Sequence, residues 1–271
     1  MIRKYVNKIK KDGYVIIPNL LSPSQCKKYK KMLEVTCKKH SKNYAVSNAK
    51  GDLSNKSLEK VVYNLHNKNL EWFKLFENPL VIKILDVILK EGSFNSSEPY
   101  YLNNISARCP LKGNPGQIIH IDSNLPGVNY NIVTNVMWYF DDVNIENGTT
   151  IVVPRSHKLT RYADNTKKIN NKLFIKAKKG SVAIFNANLW HGGSAKKSTS
   201  SRWALVLGYA RWFIKPSFDY MKNTPKHIYK KLSKKQKSLL GFNLIPPKDE
   251  FTRLRRRSDI HEVPDNYKLN V

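Results

Sequence analysis

Acidic residues are the first shortage in this chain: 20 Asp+Glu stand against 48 Lys+Arg over 271 residues, a formal net charge of +28. A balance so basic suits two readings, an electrostatic footprint for nucleic acid or an anionic membrane, or a compositional habit of the source genome. A second shortage weighs between them. Arginine supplies 10 of those cations and lysine 38. Arginine is the better bidentate phosphate ligand, so a dedicated nucleic-acid binder is expected to use more of it. Lysine rising together with asparagine fits composition better. Cysteine is scarce as well: Cys26, Cys37 and Cys109 are odd in number and widely spaced. That argues against a disulfide scaffold and for a reducing compartment, the cytoplasm. Long apolar runs are missing, none approaching the ~20 residues that span a bilayer. Tyr14-Val15-Ile16-Ile17-Pro18 is too short and broken for a signal peptide. Core material is not lacking, since 41% hydrophobic residues with 11% aromatics exclude a wholly disordered chain.

The first hundred residues read as helical. Ser22-Pro23-Ser24-Gln25 is a capping-box pattern, and Cys26, Tyr29, Leu33 and Cys37 follow at the spacing of one buried stripe. A second helix starts at Asn78-Pro79, carries Leu80, Val81, Ile84, Leu85, Ile88 and Leu89, and stops at Gly92. Residues 41–60 are polar and unpatterned and read as a surface loop. From Tyr100 the texture turns to short strands at 101–108, 117–122, 132–140, 149–153, 181–185 and 203–212, rich in β-branched and aromatic residues. Their irregular spacing and Gly/Pro/Asn turns indicate a sandwich or jelly roll. The expected organisation is a jelly-roll β domain with N-terminal helices over residues 1–213. A helical, then irregular, lysine-rich extension over 214–271 is expected to pack on the same domain, ending near Arg253-Leu254-Arg255-Arg256-Arg257.

Four residues carry the chemistry. His120 and Asp122 end a predicted strand, and residues i and i+2 of an extended segment share a face, so both can reach one metal. Such a pair is common by chance. His191, 69 positions after Asp122, supplies a second imidazole just past the strand at 181–185. Two imidazoles and one carboxylate form the facial triad of non-haem Fe(II) oxygenases, whose three open positions take a bidentate 2-oxo acid and dioxygen. Zinc in a hydrolytic site is the competing metal. Arg202, 11 positions further, opens the last long strand among apolar neighbours. A guanidinium there suits the distal carboxylate of 2-oxoglutarate, and a zinc hydrolase has no need of it.

With these residues in place, the sequence resembles the phytanoyl-CoA dioxygenase-like branch of the Fe(II)/2-oxoglutarate-dependent oxygenases. The resemblance runs from about Tyr5 to Trp212. It rests on Asp12-Gly13-Tyr14-Val15-Ile16-Ile17-Pro18-Asn19-Leu20-Leu21-Ser22, on Gln117-Ile118-Ile119-His120-Ile121-Asp122, on residues 146–157 ending Pro154-Arg155-Ser156-His157, on 179–185, and on the His191/Arg202 pair. It implies a mainly β fold with flanking helices, a double-stranded β-helix (jelly roll, cupin-like). It implies Fe(II) on His120, Asp122 and His191, 2-oxoglutarate on Arg202, and dioxygen as third partner. Weaker carry-overs place cosubstrate or substrate contacts at Asn104, Arg108, Asn135 and Met137. His157 resembles a structural histidine of the family, and Trp138 and Trp190 suit either core or pocket wall. The family usually has Gly where Arg155 stands and Asp where Ser181 stands. A carboxylate at 122, where halogenating relatives carry a small residue, points to hydroxylation with release of succinate and CO2.

The expected partner is a small molecule, anionic if the basic surface steers it, met by loops at 41–60, 123–131 and 157–172. Nucleic acid is disfavoured and no membrane span is expected, with a monomer or homodimer both open. Two rivals share the scaffold: a nucleic-acid-modifying oxygenase, and a non-catalytic or zinc-binding relative.

Overall fold

The computed structural model describes residues 1–40, 58–93, 100–123, 125–126, 130–245 and 249–251. Helix α1 (Ile2–Asp12) buries Val6 and Ile9 and ends on Gly13, whose φ of 89° is the left-handed conformation glycine tolerates. A side chain at 13 would also collide with Leu189 and His157, so the close approach demands glycine twice over. Strand β1 (Tyr14–Ile17) follows at once. Helix α2 (Pro23–His40) begins with the capping box expected from sequence: Gln25 N–H donates to Ser22 Oγ at 3.2 Å, and Ser22 N–H to Gln25 Oε1 at 2.8 Å. Its buried stripe is Cys26, Tyr29 and Leu33.

Strand β2 (Glu59–Tyr63) corrects the loop reading of 41–60 at its end; residues 41–57 lie outside the described residues. β2 and β1 also interrupt the expected helical first hundred residues. β2 escapes a pattern search because only Val62 of its five residues is fully buried. The short helix α3 (Phe73–Phe76) leads to α4 (Pro79–Leu89), whose N-terminus is capped by Asn78 Oδ1 accepting from the N–H groups of Leu80 and Val81. α4 ends three residues before the expected Gly92, with Lys90 as its cap.

The remaining strands are β3 (Tyr100–Pro110), β4 (Gln117–His120), β5 (Val133–Tyr139), β6 (Thr150–Val152), β7 (Leu173–Phe174), β8 (Val182–Asn186), β9 (His191–Gly193) and β10 (Ala204–Arg211). Among the described residues they form two antiparallel sheets, ordered β1-β8-β5-β10-β3-β2 and β4-β9-β6-β7. This is the jelly roll that the strand texture suggested. Strand bounds differ where they meet the site. His191 sits on its own short strand β9, and β10 begins at Ala204, two residues after Arg202.

Period-two alternation sorts the large sheet into two faces. Val136, Trp138, Leu205, Leu207, Ile105, Ala107, Val182 and Ile184 pack outward against α2 and α4 in the main hydrophobic cluster. Tyr139, Ala183, Phe185 and Ala204 face inward with Val152, Ile175 and Leu189. Trp138 is thereby core, fully buried. Trp190 is 7% exposed, packs with Ile119, Ile121 and Val153, and donates Nε1–H to the Arg161 carbonyl. Beyond β10, Ile228, Leu232, Leu239, Leu240, Phe242 and Ile245 join the same main cluster, carried in part by helices α5 (Lys226–Tyr229) and α6 (Lys234–Leu239). Arg253 to Arg257 lie outside the described residues. No described helix is long and apolar enough to cross a membrane.

Candidate metal centre

Sheet register brings the distant histidines together. β4 pairs β9 with His120 directly opposite His191, and their rings lie 4.4 Å apart. Asp122 follows β4 and is tied to β8's end by its N–H donating to the Ala187 carbonyl at 2.8 Å. The ligand atoms of His120, Asp122 and His191 all lie within 4.8 Å of one another, so one ion can touch all three. Each imidazole has its Nδ1 at 2.8 Å from the carbonyl two residues earlier, Ile118 for His120 and Leu189 for His191. That contact fixes Nδ1–H as donor and turns Nε2 toward Asp122, at 3.4 Å from Oδ1 and 3.2 Å from Oδ2 respectively. Asn135 Nδ2 donates to Asp122 Oδ2 at 2.7 Å.

The electrostatics match a cation site. Burial raises the Asp122 carboxyl, but the two imidazoles outweigh it and hold the group well below the usual carboxylate range. Burial lowers His191, and the facing Asp122 carboxylate more than reverses this. An anion between two imidazoles, with both Nε2 atoms turned inward, is a donor set suited to Fe(II) or Zn(II).

The triad opens on a cavity of about 350 Å³ whose wall includes Glu59, Asn104, Arg108, Gln117, Met137, Thr150, Phe185, Val206 and Arg202. Arg202 is 9% exposed; one terminal N–H donates to the Gly148 carbonyl, while its Nε is buried without a hydrogen-bond partner among the described residues. Burial lowers the guanidinium below its ordinary value, the cost of holding a cation in so dry a place. A guanidinium on a residue that lines the cavity fits a carboxylate.

The sequence candidates divide among different places. Asn104, Arg108 and Met137 line the cavity; Arg108 is ion-paired to Glu59 at 2.8 Å, and Met137 Sδ accepts from Thr150 Oγ1 at 3.4 Å. Asn135 meets Asp122. His157 stands apart from the triad, its Nε2 at 3.2 Å from the Lys10 carbonyl. Arg155 takes φ 67°, the left-handed conformation in which a glycine carries no penalty. Of the loops named for substrate, residues 41–57, Asn124 and residues 127–129 lie outside the described residues. Sequence reading missed Glu59, Gln117, Thr150 and Phe185 as wall. The last three lie within strands it did outline, where inward alternation marks them; Glu59 had no such signal.

A jelly roll that gathers two imidazoles and a carboxylate at one end of an Arg-floored cavity defines the cupin-like class of metal-centre proteins. The chain belongs to the phytanoyl-CoA dioxygenase family, whose model matches residues 9–204. It is 24% identical over 249 residues to a dioxygenase of Aspergillus fumigatus, covering 88% of this chain and 76% of that one. It is 26% identical over 176 residues to an uncharacterized protein of Mycobacterium tuberculosis, and spans 63% of that relative's length. Among solved structures it resembles SnoN, the non-heme alpha-ketoglutarate-dependent epimerase of nogalamycin biosynthesis, at 14% identity and TM-score 0.61, covering 83% of this chain and 90% of that one. HygX of Streptomyces hygroscopicus, crystallised with nickel and 2-oxoglutarate, gives 14% identity and TM-score 0.60 over 79% and 89% of the two chains. At such identities the likeness is one of fold.

Proposed function

We propose that this protein is an Fe(II)- and 2-oxoglutarate-dependent dioxygenase that hydroxylates a C–H bond of a small molecule. His120 Nε2, His191 Nε2 and a carboxylate oxygen of Asp122 would hold the iron, and Arg202 the distal carboxylate of 2-oxoglutarate. When bound, iron and cosubstrate supply the oxidising chemistry: 2-oxoglutarate, dioxygen and the substrate C–H are converted to succinate, CO2 and an alcohol. The chain's own work is positioning. Asn135 fixes Asp122, the two backbone carbonyls fix the imidazoles, and Phe185, Met137 and Val206 present apolar wall that limits water. No protein acid or base is assigned.

One observation carries the reading: the nearly buried Arg202 lines the same cavity as the triad. A zinc hydrolase has no use for it. The family membership and the 2-oxoglutarate found in HygX support the same assignment. Hydroxylation is inferred from Asp122, which fills the ligand position that a small residue would leave for halide. SnoN, described as an epimerase, and SnoK, a carbocyclase, are the competing outcomes on this fold. The three cysteines are free, in keeping with a cytoplasmic site of action.

The test is succinate formation and oxygen uptake with Fe(II) and 2-oxoglutarate. Wild type is expected to show slow uncoupled turnover that His120→Ala abolishes. Equal rates in the two proteins would remove the assignment.

A further inference from the structure

Part of the wall of the triad's cavity is built by a strand that carries charge inward. β2 pairs β3 so that Val61 stands opposite Arg108, and Glu59, Val61 and Tyr63 share one face. Arg108 Nη1 donates to Glu59 Oε2 at 2.8 Å, and Arg108 Nη2 lies 3.5 Å from Tyr63 Oη. The Glu59 side chain is 8% exposed and that of Arg108 28%, and both line the cavity. Among the described residues, the polar wall beyond this pair, the triad and Arg202 is uncharged: Asn104, Gln117 and Thr150.

Among the described residues the wall thus carries two carboxylates, Glu59 and Asp122, and two guanidinium groups, Arg108 and Arg202, to which Fe(II) and 2-oxoglutarate would add equal and opposite charges. In a chain of net charge +28 that described wall is balanced. A carboxylate or phosphate approaching Arg108 meets a guanidinium already neutralised, with the Glu59 carboxylate beside it. Taking the guanidinium over would strand a nearly buried carboxylate without its partner, the situation that makes broken buried ion pairs costly. A cation aimed at Glu59 meets the mirror problem. A neutral group with both a donor and an acceptor meets neither.

Resting on the dioxygenase reading above, we propose that the part of the substrate entering this cavity is uncharged and hydrogen-bonding, a hydroxyl- or amide-bearing small molecule. Glu59 and Arg108 are its specificity-determining pair. This narrows the anionic substrate expected from bulk charge, whose negative groups would have to stay outside.

Benzoate, benzamide and benzamidine are near-isosteric probes of charge −1, 0 and +1. Their binding is measured by calorimetry on protein holding Zn(II), a redox-inert stand-in, and saturating 2-oxoglutarate. Wild type is expected to prefer benzamide to either charged probe by at least about tenfold. Glu59→Gln, which removes the carboxylate beside the guanidinium, should shift preference toward benzoate; Arg108→Gln should shift it toward benzamidine. The two variants need not both fold, since each reports alone. Wild type binding benzoate or benzamidine as tightly as benzamide overturns the proposal, as does an unchanged order in a folded variant or no binding of any probe. Failure of wild type to bind 2-oxoglutarate in the same titration sinks instead the dioxygenase reading.

Discussion

Asn135 donates its side-chain N–H to Asp122 Oδ2 at 2.7 Å, joining the middle of β5 to the loop after β4. Asn135 is 3% exposed and sits opposite Gly208 on β10, so its amide is held by the sheet and not by a flexible loop. The bond leaves Asp122 one fewer orientation to lose when it takes up a metal. Partners of this kind tune affinity without touching the ion. Asn135→Ala is expected to weaken Zn(II) or Fe(II) binding by about 10–100-fold while leaving the far-ultraviolet circular dichroism unchanged. A metal titration of the two proteins checks it.

Arg202 should separate cosubstrate from metal. Hydrogen bonds to a charged group contribute roughly 1.5–3 kcal/mol each, so loss of the guanidinium amounts to at least tenfold in affinity. Arg202→Gln is therefore expected to weaken 2-oxoglutarate binding at least tenfold while the metal affinity stays near wild type. Loss of both together would mean that the guanidinium supports the fold of the site and not the cosubstrate.

His66 predicts an acid-sensitive fold. It is fully buried, edge-on to the Tyr220 ring at 5.1 Å, and burial, helped by nearby Lys68, pushes its pKa down to about 3 from 6.5. Above pH 6.5 the ring is neutral folded or unfolded and contributes nothing. Between pH 6.5 and 3 only the unfolded chain takes up the proton, so stability falls with pH by up to about 1.4 kcal/mol per unit. His66→Leu removes that slope. Urea midpoints from pH 7 to 4 should fall less steeply for the variant than for wild type.

Arg155 holds φ 67° and ψ −3°, a conformation that costs most residues roughly 1 kcal/mol or more. Its backbone N–H donates to the Asp12 carbonyl, a bond any residue can make, and its side-chain contact to Asp12 is a long 3.7 Å at the surface. Arg155→Gly should therefore raise stability, by up to about 1 kcal/mol, read as a shift in the urea midpoint. A drop of that size would mean the surface contact outweighs the strain.

The chemistry of the site was legible early because it is written in short spacings. His120-Ile121-Asp122 needs only an extended backbone to share a face, and β4 supplies it up to His120. Ser22 and Gln25 announce their helix start, and Asn78-Pro79 theirs, because capping is settled within four residues. The alternating runs from Tyr100 onward likewise mark strands by their own side chains. Charge decided little, because composition says how many lysines there are and not where they point.

What local pattern cannot encode is which strand lies beside which. The opposition of His120 and His191, the reach of Asn135 to Asp122, and the burial of Arg202 beneath Gly148 follow from sheet register across many residues of intervening chain. Glu59 is the sharpest case. Alone it is a charged residue at the edge of a polar stretch, and nothing in its neighbours marks it as cavity wall. Once β2 is zipped onto β3, the pleat turns it inward to meet Arg108 at 2.8 Å. The sequence by itself determined the residue types of the candidate site and the strand that leads to His120. The tertiary structure decided which charges meet, because burial and pairing are properties of the closed barrel and not of any segment of it.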